Sequence, residues 1–353
     1  MRVSVIIPAY NCEDYIAATI RSIAAQTVRD LEIVIVDDGS KDATLEVARR
    51  EAAQDSRVVV ISQPNSGAPG AARNRGIRAC RGEFIAFLDA DDLYEPDKLQ
   101  RQLAAFEACP EVDVVFSDLA RFSSTTPDRT LPGILQSGGF VEAAASHLER
   151  HGEDLYRCKP SFYSFMSTDR AALATQTVMV RRAALFAESV WFPEDWVCGE
   201  DLDLWFRLAR RVRLAYIDRV LAWYRQRHDS VMHDDEKAVI GAIKAHGTNF
   251  DRALDVLTSA EAALLRRRLA THYFQLGYLH YRKGRMSNAR AAFRDARRLA
   301  REEYSRMAYL KTFLPGFLVR FLIAARDGMT RPPQPPVRDG RALGPLSRNA
   351  PLE

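Results

Sequence analysis

Through the first 120 residues, short β-branched runs alternate with longer segments whose apolar positions recur every three or four residues. VSVIIP (3–8), EIVIVDD (32–38), RVVVIS (57–62), EFIAFLDAD (83–91) and VDVVFSD (112–118) predict strands. The stretches between them, 12–27, 41–54, 70–81 and 95–108, are rich in alanine and charge and predict helices. Strands that are nearly unbroken apolar runs are covered on both faces. The rhythm therefore predicts an α/β fold with a mostly parallel sheet and helices on both sides.

Beyond residue 120 the alternation fades. The stretch 120–175 carries aromatics (Tyr156, Phe162, Tyr163, Phe165) without a clear period. TVMVRRAAL then predicts a strand, EDLDLWFRLARR (200–211) an amphipathic helix, and LAYIDRVLAWYRQR two short strands. From about 233 the pattern is wholly helical, and 329–353 is proline-rich, polar and poor in aromatics, as in a disordered tail. The expected organisation is an α/β domain over 1–232, a helical extension over 233–328, and the tail.

Charge and cysteine content refine this picture. The net charge of +4 hides an asymmetry, because 266–331 holds 16 Lys or Arg against four acids, or +12. The remainder is then −8, and a basic end of this kind suits an anionic partner. The five cysteines are scattered, without a C-x-x-C pair, which argues against a disulfide framework or zinc knuckle and for a reducing compartment. No stretch reaches the roughly 18 apolar residues of a membrane span, and the N-terminus lacks signal-peptide character. A cytoplasmic protein is expected, with peripheral attachment to the inner membrane face left open.

Ligands of open α/β sheets bind beyond the carboxyl ends of strands. Acids cluster there: Asp37 and Asp38 follow the second strand, and Asp89, Asp91 and Asp92 the fourth. Turn formation or helix capping explains one such site, but two together are less easily explained so. Asp89 and Asp91 are two apart, hence on one side of extended backbone. Their repulsion is relieved if Mg2+ or Mn2+ sits between carboxylate and a substrate's phosphates.

VSVIIPAYN at the N-terminus, QT at 26–27, VDDGSKDAT at 36–44, NSGAPGAARNRGIRACRGEFIAFLDADD at 65–92 and CGEDLDLWFRLA at 198–209 together resemble a family 2 glycosyltransferase of the GT-A fold, over about 1–230. The resemblance implies an inverting transfer from a nucleotide-sugar donor, most simply a UDP-sugar, to a saccharide or lipid-linked acceptor. Cell-envelope or exopolysaccharide synthesis is the setting by analogy, and nucleic acid is not an expected partner. It implies that Pro8, Ala9, Tyr10, Asp37 and Asp38 hold the nucleotide base, with Asp38 on its ring nitrogen. Arg73 and Asn74 would line the nucleotide pocket. Asp89, Ala90 and Asp91 match the D-x-D motif, with Asp89 near the ribose and Asp91 on a Mg2+ or Mn2+ ion that bridges the diphosphate; Asp92 adjoins them. Asp201, in the G-E-D triplet, matches the catalytic base. Its place at a helix start favours the ionised carboxylate, while plain capping, or Glu200 or Asp203 as base, remains open.

The family's Y-R-x-H-x-x-S stretch is altered here to YRQRHDS (224–230), which puts Arg227 at the histidine position and His228 one later. Either could meet a phosphate, and His228 could ligate metal. Other signals carry less. His147 and His151 in HLERH have Leu148 where a metalloprotease base would stand, and neither a P-loop nor G-x-G-x-x-G follows the first strand. That lowers ATPase and nicotinamide chemistry, and PAYNCED is not the glycine-rich loop of a nucleotidyltransferase. A non-catalytic scaffold would not need both Asp91 and Asp201. In the extension, Tyr273, Leu276, Gly277, His280, Ala289, Phe293 and Ala296 resemble one tetratricopeptide unit, too few for a solenoid. MAYLKTFLPGFLVRFLIAARDG (307–328) suits either an interfacial helix on anionic lipid or a packed terminal helix.

Overall fold

The structure is a computed structural model that describes residues 1–123, 127, 131–187, 191–226, 235–254, 256–301, 309–310 and 312–313. The first half alternates as β1 (Val3–Ala9), α1 (Ile16–Ala24), β2 (Leu31–Asp37), α2 (Thr44–Gln54), β3 (Val58–Ser62), α3 (Pro69–Ala79), β4 (Phe84–Phe87), β5 (Leu93–Tyr94), α4 (Lys98–Ala108) and β6 (Val114–Phe122). Then follow α5 (Ile134–Ser137), α6 (Phe140–Ala143), β7 (Leu148–Arg150), β8 (Leu155–Cys158), α7 (Phe162–Thr168), a 3-10 turn (Thr175–Thr177), β9 (Met179–Arg181) and α8 (Arg182–Phe186). The chain continues through α9 (Glu200–Arg211), β10 (Leu214–Arg225), α10 (Asp235–Ala253), α11 (Ser259–Arg282) and α12 (Met286–Leu299).

The ten strands form one sheet in the order β3-β2-β1-β4-β9-β6-β10-β8-β7, with β5 paired to β10. Strands β3, β2, β1 and β4 are parallel, as the alternation requires. Beyond β4 the sheet is mixed, because β9 enters antiparallel between β4 and β6. The 214–225 stretch, expected to give two short strands, is one twelve-residue strand with register shifts after Ile217 and Val220. Those irregularities let one strand bend where two were expected.

Alternate side chains of each central strand enter different cores. Val3, Val5 and Ile7 of β1 meet Ile16, Ile20, Leu103 and Phe106 of α1 and α4 on one face. Ile6, Ile85 and Phe87 face Ile77 of α3 and Leu204, Trp205 and Leu208 of α9 on the other. Burial on both faces is why these strands show no polar alternation.

The chain divides into two compact units, Met1–Glu261 and Ala262–Glu353. The first takes in α10, which packs on α9. The second has its own apolar cluster of Tyr281, Ala289 and Phe293, flanked by Phe274, Tyr278, Met286 and Tyr309. Gly277 permits that hairpin its close packing, since a Cβ there would sit 2.6 Å from Phe293 Cδ1. Among the described residues, no helix is long and apolar enough to cross a membrane. Most of the 307–328 stretch and all of the tail lie outside the described residues.

Candidate functional site

The order β2-β1-β4 places β1 at the point where the strand order reverses, and ligands of open α/β sheets bind beyond the carboxyl ends at such a point. At these ends lie Pro8, Ala9 and Tyr10 at β1, Asp37 and Asp38 at β2, and Asp89 to Asp92 after β4. Tyr10 is 45% exposed at this rim, whereas Ala9, Asp37 and Asp38 are buried. The next residue, Asn11, has φ 48° and accepts from Lys41 N at 2.8 Å, turning the chain sharply out of β1.

The two aspartates after β2 are tied into the loop beyond β3. Asp37 accepts from Ser40 N (3.4 Å) and Ser62 Oγ (3.3 Å). Asp38 accepts from Gln63 Nε2 (2.7 Å), Ser66 Oγ (2.8 Å) and Ser66 N (3.1 Å). Much of the Asp38 acceptor capacity is therefore taken up by the protein itself.

The D-x-D turn is held from three directions. From α1, the Thr19 hydroxyl lies 2.8 Å from the Ala90 carbonyl and 2.9 Å from that of Asp92. From the end of β10, Arg225 Nε donates to the Asp91 carbonyl and Arg225 N to Asp92 Oδ1, both at 2.8 Å. From α3, Arg73 Nη2 donates to Asp89 Oδ1 at 2.7 Å. Asp92 is fully buried and its Oδ2 has no hydrogen-bond partner. Burial, with the charges of Asp91 and Asp89, pushes its carboxyl well above the usual range. Asp91 itself is half-buried. Among the described residues, no three His, Cys, Asp or Glu side chains converge to hold a cation.

Arg73 joins this turn to the start of α9. It is buried, stacks 5.3 Å from the Phe192 ring centroid, and donates through Nη1 to Glu200 Oε1 at 2.5 Å. Burial and the adjacent Asp201 push the Glu200 carboxyl up to about 7, against the pull of Arg73. Asn74 faces elsewhere: its amide donates to Phe192 O (2.8 Å) and Glu194 Oε1 (2.9 Å) and accepts from Phe192 N (3.0 Å). It clamps the loop that leads to α9.

The three acids of α9 differ in use. Glu200 is buried against Arg73. Asp203 is buried and accepts from Arg207 Nε (3.0 Å), Thr248 Oγ1 (3.1 Å) and Arg252 Nη1 (2.9 Å), which anchors α10. Asp201 alone remains half-exposed, with Oδ1 accepting from Leu202 N (2.7 Å) and Oδ2 from Thr175 Oγ1 (3.0 Å). Gly199 makes this turn possible. Its φ is +82°, and a Cβ there would lie 2.5 Å from Gly241 O of α10.

The structure thus gathers Arg73, Asp89, Glu200 and Asp201 at one edge, although they span 129 positions of sequence. Thr19 and Thr175, which support them, carry no motif of their own in the sequence, whereas Arg225 is the first arginine of the YRQRHDS stretch. Arg227 and His228 lie outside the described residues. A cavity of about 520 Å3 lies at the opposite, amino end of β1 and β4, lined by Met1, Arg81, Glu83, Arg181, Arg182 and Phe186.

A sheet of this order, with acids at its switch point and a second acid at a helix start, defines an α/β protein of the GT-A fold. Solved structures share that fold. S. aureus TarS 1–349 in complex with UDP-GlcNAc aligns with TM-score 0.64 and 19% identity, over 93% of this chain and 92% of that one. The mannosyltransferase PcManGT from Pyrobaculum calidifontis, in complex with GDP-Man and Mn2+, aligns with TM-score 0.57 and 18% identity, over 93% and 80%. Residues 4–175, just under half of the chain, match the family model for glycosyl transferase family 2. A Bacillus subtilis relative, the uncharacterized glycosyltransferase EpsJ, is 31% identical over 229 residues, which is 65% of this chain and 62% of EpsJ. The chain spans about a third or less of the length of several other curated relatives it matches.

Proposed function

We propose that this chain is an inverting glycosyltransferase that moves a sugar from a nucleotide-sugar, a UDP-sugar, to an acceptor hydroxyl. The observation that carries the reading is the Arg73 bridge, which joins Asp89 of the D-x-D turn to Glu200, the residue before Asp201. In such a transfer the acceptor oxygen attacks the anomeric carbon as the nucleoside diphosphate leaves from the opposite face. Asp201 takes the acceptor proton, since Glu200 and Asp203 are engaged by arginines. Tyr10 offers an exposed ring to the base, with Pro8, Ala9, Asp37 and Asp38 forming its floor.

The acidic turn fits a cation that arrives with the donor. Asp91 would supply one carboxylate, with phosphate oxygens and water as further ligands. Mg2+ or Mn2+ held there would neutralise charge growing on the leaving diphosphate. Asp89, bonded to Arg73, would meet the ribose in this reading. PcManGT, solved with Mn2+, and TarS, solved with UDP-GlcNAc, support a metal and a UDP-sugar respectively.

Calorimetric titration with UDP, GDP, CDP and dTDP, in Mn2+ and in EDTA, tests this. UDP is expected to bind only with metal, to lose binding in Asp91→Ala, and to bind normally to Asp201→Asn, which turns over nothing. If no diphosphate binds, the reading fails; metal-independent binding removes the cation.

The acceptor, saccharide or lipid-linked, and an envelope or exopolysaccharide role belong to the same reading. So does a cytoplasmic location at an anionic membrane surface, supported by the +12 of 266–331. Failure to sediment with phosphatidylglycerol vesicles at low salt removes the membrane element.

A further inference from the structure

We infer that Thr175 is a positioning residue for Asp201, its hydroxyl polarity fixed by Trp205. The inference rests on Asp201 being the base. Trp205 is fully buried, and its Nε1–H reaches Thr175 Oγ1 at 3.3 Å. An indole N–H can only donate, so the Thr175 oxygen must accept from it. The single hydroxyl proton is then left for Asp201 Oδ2, 3.0 Å away. An ionised carboxylate only accepts, so the series Trp205 to Thr175 to Asp201 runs in one direction. Asp201 Oδ1 is held separately by Leu202 N at 2.7 Å. Two donors on different oxygens fix the plane of the carboxylate.

The hydroxyl is itself anchored. Thr175 is 2% exposed and opens the 3-10 turn between α7 and β9. Gln102 of α4 donates to the Thr177 carbonyl of that turn at 2.8 Å and to Val115 O of β6 at 3.1 Å. Its Oε1 accepts from the buried Lys98 Nζ at 2.5 Å. The turn is thereby pinned to the sheet core. Asp201, on the first turn of a helix, borrows that rigidity through one hydroxyl.

Thr175→Val keeps the shape and removes the hydroxyl; Thr175→Ser restores it. UDP release from UDP-N-acetylglucosamine is followed from pH 5 to 9 in the full chain. In the valine variant kcat is expected to fall about 10- to 100-fold, with donor KM unchanged. The serine variant should return kcat to within about twofold of the parent. A parent-like kcat in the valine variant overturns the inference. Thr175→Ala tests the same bond should the valine variant misfold. If the parent releases no UDP, the donor reading has failed, and crystal structures of the variants decide the positioning claim. An Asp201 carboxylate rotated in the valine variant but not in the serine variant upholds it, and an unmoved carboxylate in both overturns it.

Discussion

Replacing Arg73 by methionine keeps most of the side-chain volume and removes the charge between Asp89 and Glu200. Asp89 is about a third exposed, at 34%, so water screens its loss. Glu200 is 6% exposed and loses its partner in a dry environment. Breaking a buried pair costs about 3–5 kcal/mol because the remaining charge is uncompensated. Glu200 has an escape, since its carboxyl already lies at about 7 and can take a proton. Below that pH the neutral acid replaces the orphaned anion and the cost shrinks. Above it, the cost grows by up to about 1.4 kcal/mol for each pH unit in which Glu200 is ionised in the parent but protonated in the variant. Urea unfolding followed by tryptophan fluorescence at pH 6 and pH 8 measures this. Arg73→Met should lose about 3 kcal/mol or more at pH 8 and clearly less at pH 6. In the double variant Arg73→Met with Glu200→Met most of the loss should return, because a packed apolar pair needs no countercharge. Equal losses at the two pH values, or a double variant no better than the single, would refute the reasoning.

Two further outcomes follow from the same edge of the sheet. Glu200→Gln should change how stability depends on pH. The folded carboxyl at about 7 binds its proton more tightly than the unfolded one at 4.5, so its contribution is full below 4.5 and is lost as pH rises through 7. The stability of the parent minus that of the glutamine variant should fall over this window in urea titrations, and a flat or rising difference counts against it. Gly199→Ala places a Cβ 2.5 Å from Gly241 O at a φ of +82°, so the turn into α9 must move. Strain of this kind costs about 1–3 kcal/mol before the clash is counted; thermal melts within about 1 °C of the parent (under about 1 kcal/mol) would show the turn adapts freely.

The strands and helices of the first 120 residues were legible because each side-chain environment is set by burial on both sheet faces, and burial writes itself as period and composition. The acid clusters were legible too, since two of them at strand ends are harder to assign to turns and caps than one. The sequence by itself determined an α/β sheet with acids at strand ends and helices toward the C-terminus. It did not show that β10 is one bent strand, because register shifts are settled by the pairing with β6 and not by the residues of β10 alone. Nor could it choose among Glu200, Asp201 and Asp203, which share one helical turn. Only tertiary structure separated them, by bringing Arg73 from α3 to the first, Thr175 to the second, and Arg207 and α10 to the third. The physical reason is that a carboxylate's chemistry is decided by the donors and dielectric around it, and those come from segments distant in the chain.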